Sequence, residues 1–125
     1  MKDGIFCLPG YCRLNGRSEY LTLIEVQGGG RRYYKAYLAQ RLEGPWRGLA
    51  DSLAKPFAAG ANVQQEPEWT ASISHGELLR VGVDETMEMD LARVRFVFQG
   101  ASDQEYRAES YGAIPWRLGI LEMKL

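Results

Sequence analysis

The sequence predicts an all-β fold, and two features of its 125 residues lead to that prediction. Turn-forming glycines recur at short intervals, and the runs between them are rich in β-branched and aromatic residues. No long segment shows the ~3.6-residue apolar period of an amphipathic helix. Strands of this length, regularly spaced and separated by turns, are typical of a β-sandwich, barrel or propeller.

The first group of predicted strands lies near residues 14–49. Tyr20 to Val26 has the composition of a buried strand, and Arg32 to Leu38 follows as its partner. Three consecutive glycines at residues 28–30 separate them. Because these glycines lack the strand-to-helix context of a phosphate loop, we interpret them as a hairpin turn.

The second group lies near residues 76–123. Its predicted strands are Leu78 to Val83, Thr86 to Asp90, Arg93 to Gln99 and the closing segment Trp116 to Met123. The period-two alternation is clearest in the third of them, where residues 94, 96 and 98 share one face. That face is the predicted core of the second group.

A long loop, residues 50–75, joins the two groups and carries the only histidine, His75, at its end. A short helical turn is possible at Ala50 to Ala59, where Pro56 would limit it. Loops over rigid sheets often carry function, so His75 is a candidate ion ligand, catalytic group or packing residue. It has no partner motif for a Ser-His-Asp triad.

Composition and charge exclude several classes of function. The formal net charge is −1 and the basic residues are scattered, which argues against a nucleic-acid surface. No apolar run approaches the ~18 residues of a membrane helix, and no signal-peptide order is visible at the start. Cys7 and Cys12 are compatible with a disulfide or with two free thiols, but not with a zinc pattern.

A series of short motifs keeps one order and spacing from about residue 14 to the C-terminus. The motifs are Tyr20 to Glu25, Gly30 to Tyr34, Leu42 to Trp46, Pro56 to Ala58, Ala61 to Val63, Trp69-Thr70, Ile73 to Leu78, Asp84 to Met87, Phe98 to Gly100, Ser110-Tyr111 and Ile114 to Gly119. Each motif is weak alone. The ordered set resembles glycoside hydrolase family 62.

The resemblance implies a five-bladed β-propeller, of which this chain would supply about two blades as a C-terminal fragment. Members of the family remove α-L-arabinofuranosyl side groups from arabinoxylan with inversion and are usually secreted. A xylan-type ligand and an extracellular location are therefore expected. Inversion needs two carboxyl groups roughly 6.5–9.5 Å apart. The blades that supply the general base have no counterpart here, so we expect the chain alone to be inactive.

The resemblance also suggests roles for single residues. Cys7 stands where the family has its general-acid glutamate, and a thiol is a poor proton donor to a glycosidic oxygen. His75 matches a histidine near the propeller axis that helps to hold a central calcium ion, although calcium usually prefers oxygen ligands. The alternative for His75 is a hydrogen-bonded residue that organises the end of the loop.

Two aromatic residues are candidates for binding the sugar. Tyr111 matches a tyrosine at the mouth of the active site, and Trp69 lies in the loop beside Pro67. Aromatic faces cover the apolar C–H side of a sugar ring, and structural packing is the alternative for both residues. Trp46 and Trp116, in strand-like surroundings, are predicted to be core residues.

A second function remains open: a small non-catalytic β domain that binds carbohydrate through Tyr111 and Trp69. For either function, two blades taken from a closed ring would expose sheet edges and apolar side walls. We therefore expect the isolated chain to self-associate.

Overall fold

The computed structural model describes residues 19–81, 87–90 and 92–123, together with the backbone of residues 4–13. These residues form two antiparallel sheets, each built from strands that are consecutive in the chain. The helical content of the described residues is one four-residue α-helix and two 3₁₀ turns. The all-β prediction is therefore confirmed. Among the described residues, none of the helical segments has the length and apolar character that spanning a membrane requires.

The first sheet has four strands in the order β1-β2-β3-β4. The strands are β1 (Gly4–Arg13), β2 (Tyr20–Gly28), β3 (Arg31–Ala39) and β4 (Arg47–Ala50). The predicted hairpin turn joins β2 to β3, and both of its central residues, Gly29 and Gly30, have positive φ values of 62° and 76°. Such a turn matches the twist of the two strands and favours glycine at both positions.

The second sheet has three strands in the order β5-β6-β7. The strands are β5 (Ser72–Leu78), β6 (Arg95–Ala101) and β7 (Arg117–Glu122). Between β6 and β7 lie the helix α1 (Asp103–Tyr106) and a 3₁₀ turn, Tyr111–Ala113. A reciprocal capping box of Ser102 and Glu105 starts α1.

The first sheet begins earlier than the predicted boundary at residue 14, because β1 pairs with β2 from Gly4 onward. This strand contains Pro9 and Gly10, which are typical of turns. Pro9 is tolerated because β1 is the edge of its sheet and its register shifts between Cys7 and Tyr11.

Three predictions about the second half of the chain were wrong. β5 begins at Ser72, so His75 lies inside a strand and not at the end of a loop. The strand predicted to start at Leu78 instead ends there, because Ser72 to Leu78 is the part that pairs with β6. Within the predicted strand Thr86 to Asp90, the described residues 87–90 show a single bridge position, Met89. Residues 82–86 lie outside the described part of the chain.

In the segment that joins the sheets, residues 51–58 form bends and bridges in place of the possible helical turn, and the first 3₁₀ turn follows at Gly60–Asn62. Pro56 pairs with Asp51 in an isolated bridge, and Ala58 pairs with Tyr34 of β3. The Tyr34 N–H donates to the Ala58 carbonyl at 2.8 Å, and the Phe57 N–H donates to the Tyr34 carbonyl at 2.8 Å. Backbone hydrogen bonds therefore hold this segment against β3.

A single apolar cluster joins the two sheets. Its buried members are Leu21, Leu23, Tyr34, Ala36, Ala58, Ile73, Leu78, Met89, Val94, Phe96 and Phe98. The predicted shared face of residues 94, 96 and 98 is confirmed, since all three are less than 10% exposed. The Tyr34 and Phe57 rings both meet the Phe96 ring edge-on, at centroid distances of 5.0 and 5.7 Å. These contacts give both sheets one core.

Candidate functional site

The only histidine occupies a bulge in β5. The pairing of β5 with β6 shifts register between Ser74 and Glu77, and His75 has a φ of 44°. A residue other than glycine seldom adopts this left-handed conformation. The side chain of His75 is exposed, whereas its neighbours Ser74 and Gly76 are buried. The bulge therefore presents the imidazole at the surface of the sheet.

Buried side chains of the first sheet bind the backbone of this bulge. The His75 N–H donates to Glu25 Oε1 at 2.7 Å, and the Gly76 N–H donates to the Tyr34 hydroxyl at 2.6 Å. These bonds satisfy peptide groups where the bulge interrupts regular pairing. Burial raises the pKa of Tyr34, so its hydroxyl stays neutral and can accept this bond at ordinary pH.

Glu25 also forms a buried ion pair with Arg32. Glu25 Oε2 lies 3.6 Å from Arg32 Nη1, and the two side chains are only 3% and 6% exposed. An arginine is always charged, and a buried charge needs a counter-charge and hydrogen bonds. Glu25 therefore supplies a counter-charge to Arg32 inside the protein.

The Arg32 guanidinium is the centre of an aromatic cluster. It lies 5.8, 5.3 and 5.8 Å from the ring centroids of Tyr106, Tyr111 and Trp116, respectively. Its Nε donates to the Tyr106 hydroxyl at 3.2 Å, and its Nη1 donates to Ser74 Oγ at 3.3 Å. Cation–π attraction and these bonds bring α1, the second 3₁₀ turn and the start of β7 together.

His75 and Tyr111, two of the predicted site residues, lie in contact. His75 Nε2 is 3.1 Å from the Tyr111 hydroxyl, and Nδ1 is 3.1 Å from Ser74 Oγ. The imidazole meets the Trp116 ring edge-on at 5.8 Å and 90°. Tyr111 is 55% exposed. We call the exposed surface of His75, Tyr111 and Trp116 the imidazole–phenol face. It combines aromatic surface with hydrogen-bonding groups, which suits a sugar ring with its hydroxyls.

Trp69 has a different environment from the imidazole–phenol face. Its ring stacks on Phe98 at 5.8 Å, and the Arg117 guanidinium lies 5.4 Å from its centroid. Its backbone N–H donates to Gln65 Oε1 at 3.0 Å. Trp69 is half-buried and packs against the apolar cluster. Its role as a sugar-binding residue stays a prediction.

The other two tryptophans are half-buried, so neither is fully enclosed in the core as predicted. Trp116 contributes instead to the imidazole–phenol face, where it contacts His75 and Arg32. Trp116 lies outside the core because it directly precedes β7, an edge strand whose first two side chains are exposed.

Cys7 lies in β1 opposite Ile24 of β2. The side chains of Cys7 and Cys12 lie outside the described residues. The match of Cys7 to the general-acid position, like a disulfide between the two cysteines, therefore stays a prediction. Because β1 pairs with β2, Cys7 lies in the same sheet as Glu25.

The described residues do not by themselves form a calcium site. Both ring nitrogens of His75 have partners within the chain, Ser74 and Tyr111. In the described part of the chain, no group of three or more His, Cys, Asp or Glu side chains comes together. Calcium takes about 6–8 oxygen ligands, many of them carboxylates. A calcium role for His75 stays a prediction.

Sequence reasoning missed the residues that support the face. They are Glu25, Arg32, Tyr34, Ser74 and Tyr106. A signal for the first two was present, because Glu25 follows Leu21 and Leu23 at inward positions of an alternating strand. A charge at such a position requires a partner. Arg32 is two residues before Tyr34, which lies directly opposite Glu25.

With the fold and the face established, comparison with known proteins identifies the family. The family model for glycosyl hydrolase family 62 matches residues 2–122. The chain therefore belongs to this family of glycoside hydrolases. Over 113 residues it is 41% identical to alpha-L-arabinofuranosidase C of Cellvibrio japonicus, an alignment that covers 90% of this chain and 18% of that protein.

Solved structures of the family show the same arrangement. The TM-score is 0.83 with the catalytic domain of an α-L-arabinofuranosidase from Coprinopsis cinerea, at 38% identity. It is 0.84 with the enzyme from Podospora anserina in complex with cellotriose, at 39% identity. A family 62 hydrolase in complex with xylotriose gives 0.79, at 36% identity. This chain spans 36% of the length of each of these solved chains.

Proposed function

We propose that this chain supplies the imidazole–phenol face to the sugar-binding site of an α-L-arabinofuranosidase. The observation that carries the proposal is the exposed Tyr111 phenol, held against His75 and above Arg32. Family membership and the two relatives solved with cellotriose and xylotriose support an oligosaccharide or polysaccharide as the ligand.

The proposed architecture is two neighbouring blades of a five-bladed propeller. Antiparallel sheets of consecutive strands are the building units of such folds. The first unit would run from Gly4 to Ala50, and the second from Ser72 to Glu122. Two of five equal blades make up about two fifths of a propeller. This fraction agrees with the 36% of the solved chains that the alignments cover.

The proposed reaction is the inverting hydrolysis of arabinofuranosyl side groups of arabinoxylan, which fits an extracellular enzyme. It needs an acid and a base carboxyl roughly 6.5–9.5 Å apart. Near the face, Glu25 is buried and bound to the His75 N–H and to Arg32. Glu77 is exposed and pairs with Arg80 at 2.6 Å. Because both carboxylates already have structural partners, we propose that the isolated chain releases no arabinose.

A chimeric enzyme tests this proposal. This chain would replace the matching 36% of the Podospora anserina enzyme, and arabinose release from arabinoxylan would be measured. With Cys7 at the acid position, activity should be lower by a factor of about 10²–10⁴, the usual contribution of a general acid. Cys7→Glu should restore it.

Cys12→Glu is the matched control, because it places a carboxyl elsewhere on the same strand and should restore nothing. In the restored chimera, Tyr111→Ala should raise KM and lower kcat/KM by weakening sugar binding. Arabinose release by the isolated chain that disappears in Cys7→Ala would contradict the proposal, as would a restored chimera that is indifferent to Tyr111→Ala.

The second candidate is a non-catalytic carbohydrate-binding domain. The exposure of Tyr111 favours it, since a flat aromatic face can bind a sugar without any catalytic carboxyl. Titration of the isolated chain with xylotriose, followed by tryptophan fluorescence, separates the two. Saturable binding that Tyr111→Ala removes, with no activity in any chimera, would favour the binding domain.

A further inference from the structure

The left-handed backbone of His75 needs an explanation in the surrounding structure. A non-glycine residue keeps this conformation only where its neighbours fix it firmly. The two neighbouring peptide N–H groups, of His75 and Gly76, donate to side chains that reach them from different strands of the other sheet. The acceptors are Glu25 of β2 and Tyr34 of β3, at 2.7 and 2.6 Å.

The same carboxylate begins a series of contacts that ends at the surface. Glu25 pairs with Arg32 at 3.6 Å, and Arg32 donates to Ser74 Oγ at 3.3 Å. Ser74 Oγ lies 3.1 Å from His75 Nδ1, and His75 Nε2 lies 3.1 Å from the Tyr111 hydroxyl. The buried Glu25 carboxylate thus binds the backbone of His75 directly. It is also connected to the His75 ring through Arg32 and Ser74.

We propose that Glu25 and Tyr34 are positioning residues of the site. Their two hydrogen bonds hold the β5 bulge in the conformation that directs the His75 imidazole onto Tyr111. Neither residue contacts the exposed surface itself, because Glu25 is 2% exposed and Tyr34 is fully buried. The inference rests on the proposed function only in treating the imidazole–phenol face as a sugar site.

A simpler role for Glu25 is to neutralise Arg32, and a pair of double variants separates the two roles. Glu25→Gln/Arg32→Met and Glu25→Met/Arg32→Met both remove the buried charges and keep similar volumes. Replacing a buried ion pair in this way is often tolerated. The two proteins differ at residue 25 alone, and only the glutamine of the first has an oxygen that can accept from the His75 N–H.

Nuclear magnetic resonance of the full chain provides the measurement. His75 is the only histidine, so its ring resonances are identified without ambiguity. Because Arg32 is absent from both variants, the comparison is between the two of them, and we expect the slow amide exchange of His75 to be retained in the glutamine variant. In the methionine variant amide exchange of His75 should accelerate at least about tenfold, and its ring ¹⁵N shifts should differ from those of the glutamine variant. Identical results for the two variants would overturn the role of Glu25.

A smaller change tests Tyr34 and remains informative if the double variants do not fold. Tyr34→Phe removes one oxygen and keeps the ring that packs on Phe96. It should accelerate amide exchange of Gly76 at least about tenfold and shift the His75 ring resonances. Tyr106→Phe is the control, because that hydroxyl binds Arg32 but not the bulge. Unchanged exchange of Gly76 in Tyr34→Phe would overturn the inference.

These measurements use no sugar, so they fail independently of the proposed function. A chimera that stays inactive with Cys7→Glu would contradict the function and leave the positioning of His75 intact. Matching spectra in the two double variants would overturn the positioning by Glu25 and leave the function untouched.

Discussion

The two sheets differ in what they bury and in what they leave uncovered. The first sheet encloses an ion pair, Glu25 and Arg32, among its inward side chains. The second sheet encloses phenylalanines in its central strand, yet its edge strand β7 leaves Leu118 and Ile120 75% and 63% exposed. The first sheet thus places buried charged groups beneath the imidazole–phenol face, whereas the second leaves large apolar side chains uncovered at its edge.

A cavity of about 470 Å³ extends this uncovered side of the second sheet. Its walls come from the joining segment and from β6, β7 and their flanking residues. The lining residues are Phe57, Ala58, Asn62, Val63, Gln64, Val94, Phe96, Ile120, Leu121, Glu122 and Met123. The cavity has polar and apolar walls in similar measure and is lined by none of the three residues of the imidazole–phenol face.

The largest expected effect comes from breaking the buried ion pair of the first sheet, Glu25–Arg32. Glu25→Ala removes the buried carboxylate that pairs with Arg32 and accepts from the His75 N–H, and should lower the free energy of unfolding by about 3–5 kcal/mol. The matched control is Asp103→Ala, which removes the partner of the exposed Arg31 and should cost at most about 1 kcal/mol. Urea unfolding measures both. Equal losses would show that the burial of the pair has no energetic consequence.

A glycine substitution tests how tightly the sheets meet. A Cβ on Gly76 would overlap the Phe96 ring, whereas one on Gly112 would meet no atom within 4 Å. Gly76→Ala should lower the free energy of unfolding by about 1–3 kcal/mol through overpacking. Gly112→Ala should stay within about 0.5 kcal/mol of the parent. A Gly76→Ala protein as stable as Gly112→Ala would contradict the close approach of the bulge to β6.

The uncovered side of the second sheet predicts self-association. Light scattering at micromolar concentration should detect oligomers of the parent chain, and Leu118→Lys/Ile120→Lys should shift them toward monomer. The free energy of unfolding should change by less than about 0.5 kcal/mol, because both side chains are exposed. Leu53→Lys, at a residue 54% exposed elsewhere, is the control and should leave association unchanged. A monomeric parent chain would contradict the prediction.

The smallest expected effect concerns an exposed ion pair, Arg31–Asp103. Hydrogen bonds from Arg31, at 2.9 and 2.7 Å, hold the pKa of Asp103 below its ordinary value of 3.8. Because the folded pKa is depressed, this stabilisation is present above pH 3.8 and is lost as the pH falls through the lower folded value. Both side chains are partly solvated, which limits the contribution to less than about 1 kcal/mol.

Urea unfolding of the parent and of Asp103→Asn, compared near neutral pH and below the folded pKa of Asp103, measures this contribution. The difference between the two proteins should disappear in acid. A difference that persists unchanged at the lower pH would contradict the assigned cause.

The central strands were predictable from two signals. Apolar residues alternate along them, and the glycines at residues 28–30 mark the hairpin between β2 and β3. β2 and β6 combine period-two burial with abundant aromatic or β-branched residues, and β3 follows β2 directly across the glycine turn. β1 and β5 were not placed correctly because each contains a register shift, and neighbouring strands, rather than propensity, define it. The short helix α1 could have been predicted from its sequence, because Ser102 and Glu105 have the spacing of a capping box.

The contact between two of the candidate site residues was harder to predict than the candidates themselves. The resemblance pointed to His75 and Tyr111, which the fold brings into contact although 36 positions separate them. Their meeting depends on α1 and the 3₁₀ turn folding back onto Arg32, an interaction of distant residues. No local pattern encodes the bulge conformation of His75, because its two hydrogen-bond acceptors belong to the other sheet.

Tyr34 has a consequence for how the whole molecule melts. Its backbone binds the joining segment at Phe57 and Ala58, its hydroxyl binds Gly76, and its ring packs against Phe96. Neither sheet can separate from the other without losing these bonds at the same time. Heating should therefore give one cooperative transition, in which the calorimetric and van't Hoff enthalpies agree, although the chain reads as two successive meanders.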